Sequence, residues 1–430
     1  MLSRIARILR RNVRWQIVAL MVLGTVINYI ARNSLGQLAP ELQTKLHITT
    51  PQYSYVVGAF QLSYTLMLPI CGLLVDRIGL RFGFAIFAAI WSVANMLHAF
   101  AFGWLSLAFF RGILGASEAV VIPAGVKTST EWFPMEERSQ AIGWINVGTA
   151  LGAVLAGPVV IGLTLLAGWR AAFMGTGVLG LIWAAAWYWF YRAPADHAAL
   201  TEEEREYIAD GQPPNIKRPD HNLADIIRLL TTPKFWVIAI PRFLAEPAWQ
   251  TFIFWIPLYL ARNQGMDLKH IALFGWLPFL AADVGGIAGG YLSPIVARHF
   301  RVELIPSRII VIFGAAVLMI APGCIGLVSS PAAAITLLAI GGFAHQTLSV
   351  LINTLTADCY PSDEVGMANG FVSQAGWVGG LLFSLLIGQL ADTIGFAPLF
   401  GALGVFDLIG AVILILAIKQ LVPYGSEVKA

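Results

Sequence analysis

Three ionisable side chains interrupt stretches that are otherwise apolar. Arg32 ends the run Val26-Ile-Asn-Tyr-Ile-Ala31, while Arg111 and Glu118 share the run 104–126, seven residues apart. Seven helical steps of ~100° return nearly to one face, about 10 Å along the axis. Charges inside a membrane are costly and mark the path of a charged solute or a proton. Two guanidiniums at similar depth can grip a carboxylate through planar, bidentate hydrogen bonds. Desolvation favours the neutral form of a carboxyl, which suits Glu118 to carry a proton. A structural Arg–Glu pair is the competing reading. Arg242 and Glu246, one turn apart, can pair with each other or act as a gate. Asp283 and Asp407 stand isolated, and their roles are open. His345, Gln346, Asn146, Ser373 and Gln374 offer hydroxyl-binding groups. Trp249, Trp276 and Trp377 could stack on a ring, although most tryptophans in such a chain serve packing.

These residues need elements that hold them in lipid. Of 430 residues, 12% are charged and 58% hydrophobic, and the mean hydropathy is +0.74. Soluble domains carry roughly a quarter charged residues, so the composition is that of a membrane protein. A spanning helix needs about 20 apolar residues. Twelve segments qualify, near 15–37, 52–74, 82–101, 104–126, 140–164, 170–191, 234–261, 270–294, 306–328, 331–355, 365–390 and 396–418. The first follows Arg4, Arg7, Arg10, Arg11 and Arg14 and lacks an A-x-A cleavage pattern, so it reads as an uncleaved helix. Residues 192–233 hold Glu202–Glu206, Pro213, Pro214, Lys217 and Arg218, with Thr201 and Glu204 as a capping box and Gly211 suited to the helix end. The expected fold is all-α and integral to the membrane, with twelve helices in two pseudo-symmetric six-helix bundles, 1–191 and 234–430, joined by a cytoplasmic linker, 192–233. Basic residues in the N-terminal arm, the Arg77/Arg81 turn, the linker and the Arg298–Arg308 turn put both termini in the cytoplasm.

An internal repeat supports the two halves. A shift of 227 residues aligns Glu131-Trp-Phe-Pro134 with Asp358-Cys-Tyr-Pro361, and pairs Glu137 with Glu364, Gly152 with Gly379 and Gly168 with Gly395. A weaker match sets Gly58 and Gly72 against Gly275 and Gly289. Parallel six-helix repeats build many secondary transporters, with the substrate between the halves. Gly148/Gly152 and Ala375/Gly379 are small-xxx-small pairs that permit close helix contact. Gly175-x-Gly177-x-x-Gly180 matches a dinucleotide fingerprint but lies inside a span with no preceding strand, which makes it a false positive. No Walker loop, zincin motif or G-x-S-x-G elbow is present, so ATP-driven and hydrolytic chemistry lack residues. Cys71, Cys324 and Cys359 show no paired spacing, so neither disulfide nor zinc site is expected.

The loop after the second span reads Gly72-x-x-x-Asp76-Arg77-x-Gly79-x-Arg81. It resembles the signature loop of the major facilitator superfamily, and the resemblance covers essentially the whole chain. The role it implies for Asp76, Arg77 and Arg81 is gating, with Gly72 letting neighbouring helices approach. Arg32, Tyr64 and the Arg111-x6-Glu118 pattern are similar to the site of one branch, the anion:cation symporters of organic acids. Gly24-Thr-Val…Ala31-Arg-Asn33, Pro241-Arg-Phe-Leu-Ala-Glu-Pro247 and Gly341-Gly-Phe-Ala-His-Gln346 are similar to bacterial hexuronate transporters. The resemblance implies glucuronate or galacturonate as substrate, with Arg32, Tyr64 and Arg111 lining the site. Many members of the branch have an aspartate immediately before the first arginine; this chain has Ala31, which makes Glu118 the sole expected proton carrier. The reading is proton-coupled symport by a bacterial inner-membrane protein, monomeric, with no cofactor beyond the coupling proton, no metal and no nucleic-acid partner. The alternatives are symport of an aldonate or aldarate, an exporter, or a membrane sensor.

Overall fold

A computed structural model describes residues 13–134, 137–210, 223–360 and 364–421. Arg4, Arg7, Arg10, Arg11, Gly211, Pro213, Pro214, Lys217, Arg218 and Pro361 lie outside the described residues, as does the side chain of Asp76. In hydrocarbon every backbone N–H and C=O must be satisfied within the chain, so long apolar runs become helices. The described residues form seventeen α-helices and four short 3₁₀ segments, with no strand among them. The helices are α1 (Val13–Gln37), α2 (Ala39–Lys45), α3 (Thr50–Ile78), α4 (Leu80–Leu97), α5 (Trp104–Glu118), α6 (Val121–Trp132), α7 (Arg138–Ala167), α8 (Trp169–Phe190), α9 (Glu202–Asp210), α10 (Leu223–Thr231), α11 (Pro233–Asn263), α12 (Leu268–Phe274), α13 (Leu277–Phe300), α14 (Leu304–Leu318), α15 (Pro331–Cys359), α16 (Val365–Ile394) and α17 (Phe396–Leu416).

Among the described residues eleven spans are long and apolar enough to cross a membrane. Helix α11 is the remaining member of the expected twelve. It is an unbroken 31-residue helix, but Lys234, Arg242, Glu246, Arg262 and three internal prolines lower its apolarity. Two spans are each built from two helices. The helix is interrupted at Ala119-Val120, between α5 and α6, four residues before Pro123, which has no N–H to give Ala119 O. The repeat-equivalent residue, 227 positions on, is Val350, and α15 runs through it unbroken.

The repeat seen in the sequence is carried by the helices. Shifted by 227, α7 (Arg138–Ala167) coincides with α16 (Val365–Ile394). Gly168 and Gly395 end these two helices with φ of 85° and 78°, a left-handed conformation that a Cβ would oppose. A Cβ on Gly152 would lie 2.7 Å from Val26 O in α1, and a Cβ on Gly379 would collide with Phe243 O in α11. Val26 and Phe243 differ by 217, the offset of the weaker repeat match. Gly72 is different. The nearest atom to a Cβ there is that of Pro123, 3.9 Å away, so close packing does not demand a glycine at this position.

The chain divides into two compact units, Met1–Glu41 with Leu62–Ile216, and Leu42–Gln61 with Lys217–Ala430. Residues 50–61 of α3 thus count with the second unit. Side-chain bonds within that unit give the reason. Arg262 donates to Thr50 Oγ1 at 3.0 Å, to Asp392 Oδ1 at 3.1 Å and to Gln43 Oε1 at 2.8 Å. Tyr53 donates its hydroxyl proton to Phe254 O at 2.9 Å. The first unit packs Phe84, Trp91, Trp183, Trp187 and Tyr191 into an aromatic core. Trp183 fills the space beside Gly24 and donates to Leu20 O, tying α8 to α1. The second unit has an aliphatic core around Ile238, Ile312, Leu355 and Leu414.

Candidate functional site

In the first unit Arg32 comes from α1, Tyr64 from α3, and Arg111 and Glu118 from α5. All four are buried, Arg111, Glu118 and Tyr64 completely. Arg32 Nε donates to Glu118 Oε2 at 2.8 Å. Its guanidinium lies 4.5 Å from the ring centroid of Tyr29 and 4.8 Å from that of Tyr64. Two phenol faces therefore contact the cation, each contact worth about 0.5–2 kcal/mol as desolvation increases. Arg111 reaches across from α5 and donates to the backbone carbonyl of Arg32 at 3.1 Å. The second carboxylate oxygen of Glu118 has no hydrogen-bond partner among the described residues. Glu118 is also the last residue of α5, so the interruption of the ladder begins at the carboxylate.

This geometry has one chemical consequence. A buried pair stripped of one charge leaves the other uncompensated, at a cost of about 3–5 kcal/mol. Arg32 can leave Glu118 only if another anion replaces it or if Glu118 is protonated. The pair can therefore exchange an internal carboxylate for an external one, with a proton balancing the account.

The remaining expected residues fall as follows. Asn146 in α7 is exposed, with its carbonyl accepting from Thr149. Arg77 is exposed at the end of α3. Arg81 donates to Tyr188 O at 3.1 Å, stacks on Phe82 and Tyr188, and borders a cleft of about 480 Å³ with Glu131, Tyr191 and Arg192. A residue of this region that sequence reasoning missed is Lys127, which donates to Val75 O in the last turn of α3.

The second unit gathers a different polar cluster. Arg242 and Glu246 form the expected i,i+4 ion pair at 2.8 Å. Arg242 also donates to Ser349 in α15, and Gln250 donates to Glu246 at 3.1 Å. A Cβ on Gly376 of α16 would touch Arg242 and Glu246, so the pair lies where three helices meet. His345 is buried and stacks parallel to Trp249, with centroids 5.9 Å apart. His345 is the repeat equivalent of Glu118, and Leu338 that of Arg111. The second unit thus puts a histidine–tryptophan stack where the first puts an arginine–glutamate pair. Gln346, Ser373 and Gln374 are half-buried, the last two in α16. Asp283 is half-buried in α13. Asp407 is buried in α17, and neither of its oxygens has a hydrogen-bond partner among the described residues.

Tyr29 and Ser349 were not singled out by sequence reasoning. Tyr29 had a usable signal, since it stands three residues before Arg32 on one helix face.

The profile of the Major Facilitator Superfamily matches residues 21–305 and 302–430. The chain belongs to the major facilitator superfamily. It is 48% identical over 404 residues to the hexuronate transporter of Escherichia coli strain K12, covering 94% of each chain. It is 45% identical over 325 residues to the galacturonate transporter of Dickeya chrysanthemi, covering 76% of this chain and 94% of that one. Identity with a D-galactonate transporter of Escherichia coli O6:H1 is 28%, over 96% of this chain. Among solved structures, a bacterial homologue of the human lysosomal transporter Spinster matches with a TM-score of 0.72 at 19% identity, covering 95% of this chain and 96% of that one. That likeness concerns the superfamily fold alone. The protein is a multi-pass transporter of this superfamily and not an enzyme.

Proposed function

We propose that this transporter carries hexuronates, glucuronate or galacturonate, into the cytoplasm together with a proton. The observation that carries the reading is the buried Arg32–Glu118 pair, with Arg111 anchored on the Arg32 carbonyl. Glu118 loads a proton and releases Arg32. The uronate carboxylate then takes the place of the Glu118 carboxylate on Arg32 and Arg111, beside Tyr64. Asn146, His345, Gln346, Ser373 and Gln374 supply hydroxyl contacts. Two bundles, 1–191 and 234–430, move by alternating access, with 192–233 as the linker between them. Asp76, Arg77 and Arg81, and separately Arg242 with Glu246, change partners as gates. Glu118 is the single proton carrier, since Ala31 stands where a second acid would be. The protein works as a monomer in the bacterial inner membrane with both termini in the cytoplasm, and needs no cofactor besides the proton.

The relatives named for hexuronate and galacturonate support the substrate class, and the 28% identity to a D-galactonate transporter keeps aldonates as the second reading. Uptake of labelled glucuronate into proteoliposomes, with pH and voltage gradients set independently, tests both parts. Accumulation driven by an inward proton gradient, blocked by excess galacturonate and only weakly by galactonate, is the expected result. Strong stimulation by voltage alone at equal pH excludes one-for-one proton coupling. Stronger block by galactonate moves the assignment to aldonates.

A further inference from the structure

The charged face of α1 continues one turn below Arg32 in a residue that nothing so far has used. Asn28 is completely buried, and neither its amide nitrogen nor its amide oxygen has a hydrogen-bond partner among the described residues. Other asparagines buried in the same unit spend their donors. Asn33 gives its amide to Tyr29 O at 2.7 Å, and Asn95 gives its amide to Thr176 Oγ1 at 2.8 Å and to Phe173 O at 3.2 Å. A buried amide left wholly unpaired in an apolar bundle is costly, and such a group marks a place where water or a ligand completes the set.

The register of α1 against the fourth span says what Asn28 faces. Met21 meets Gly125, its terminal methyl 3.5 Å from where a Cβ would sit, and Arg32 meets Glu118. Met21, Asn28 and Arg32 are spaced by seven and four residues, so they share one face of α1. The two contacts run antiparallel. Asn28 therefore stands at the level between Glu118 and Gly125, where the ladder is interrupted at Ala119-Val120. Backbone that is interrupted at membrane depth is tolerated where it lines a cavity or a binding site, since its freed carbonyls need partners too. Two kinds of unspent capacity thus stand on this side of the bundle, both ends of the Asn28 amide and one carboxylate oxygen of Glu118.

We infer that Asn28 is a specificity-determining residue of this site, binding a hydroxyl of a polyhydroxylated acid whose carboxylate sits on Arg32. The inference rests on the hexuronate reading and deepens it. The amide supplies a donor and an acceptor one helical turn, about 6 Å, from the Arg32 position. That separation suits a ring hydroxyl a few bonds from the carboxylate of the same sugar. A monocarboxylate without hydroxyls would leave the amide unpaired.

The test is counterflow of labelled glucuronate in proteoliposomes, competed by glucuronate and by its 2-, 3- and 4-deoxy analogues. Wild-type protein is expected to discriminate against at least one deoxy analogue by about tenfold, as one lost hydrogen bond to a buried polar group implies. Asn28→Leu, similar in volume, should weaken glucuronate about tenfold and bring that one analogue level with glucuronate, leaving the ratios for the others intact. Asn28→Ser keeps a smaller hydrogen-bonding group and carries the same comparison if the leucine variant does not insert. A folded variant of either kind with every deoxy ratio unchanged overturns the inference and leaves Asn28 satisfied by a buried water. Absence of glucuronate counterflow in the wild-type protein would sink the hexuronate reading itself, a distinct result.

Discussion

The Arg32–Glu118 pair allows the effect of Glu118→Gln to be worked from the structure. The two charges meet at 2.8 Å with side-chain exposures of 5% and 0%. Taking charge centres about 4 Å apart and an effective dielectric constant near 20, the attraction is on the order of 4 kcal/mol. A substrate carboxylate must overcome that attraction whenever Glu118 is ionised, which weakens its binding up to about a thousandfold at 1.4 kcal/mol per decade. In the wild-type protein Kd for glucuronate should therefore rise about tenfold per pH unit once Glu118 has lost its proton, because the complex holds one proton more than the empty site. Glutamine keeps an oxygen that accepts from Arg32 Nε but carries no charge. In Glu118→Gln the pH dependence should disappear, exchange of internal for external substrate should persist, and proton-driven accumulation should be lost. Equilibrium binding of labelled glucuronate between pH 5.5 and 8.5, together with counterflow, reads all three. A variant that still loses affinity tenfold per pH unit refutes the proton assignment. A variant that melts well below the wild type and no longer exchanges shows that the carboxylate serves structure.

Three other perturbations have expected outcomes. Gly379→Ala drives a methyl into Phe243 O, a backbone atom that cannot swing aside, and should destabilise by about 1–3 kcal/mol; Gly370→Ala in the same helix meets nothing within 4 Å and should be neutral or better, which thermal melting in detergent distinguishes. In the Arg242–Glu246 pair, each single change to Met strands a buried charge and should cost about 3–5 kcal/mol, whereas the double change should melt higher than either single; two additive losses would contradict a coupled pair. Asp267 caps α12 by accepting from the His270 backbone N–H, and that bond, with the His270 ring, holds its carboxyl below the usual aspartate range. Because the folded pKa is depressed, the cap contributes above the unfolded aspartate pKa of about 3.9 and is lost as pH falls through the lower folded value. Hydrogen exchange in α12 should thus be faster in Asp267→Ala than in wild type at pH 5–8, with the gap closing as pH falls through the depressed folded value, and a gap that widens on acidification would contradict the sign.

The spans were legible because each is a run of about 20 apolar residues, a signal that local packing cannot override. Arg32, Arg111 and Glu118 were legible for the opposite reason, as charges that lipid does not tolerate without a purpose. The seven-residue spacing put Arg111 and Glu118 on one face of α5, and the similar depth of Arg32 and Arg111 anticipated that α1 and α5 would bring those two together. The stacking of Tyr29 and the empty amide of Asn28 carried no such contrast, because neutral polar side chains in apolar helices are common. The interruption after Glu118 carried no distinctive signal, because Pro123 stands near it while Pro158, Pro241, Pro247, Pro257 and Pro294 sit inside unbroken helices. The grouping of residues 42–61 with the second unit depends on Arg262 finding Gln43, Thr50 and Asp392, partners separated by 130 residues or more. No periodicity encodes that. Gly72 is the reverse case, a motif glycine whose close approach the packing does not require.

The contrast between Pro123 and Val350 has a wider consequence. The two repeat-related spans differ in whether the helix is continuous, and the interrupted one bears the acid. The other retains an intact rod with a histidine in the same register. If the proposed symport holds, proton handling falls to the first-unit copy alone, and residues around His345 can change with the sugar without disturbing the coupling step.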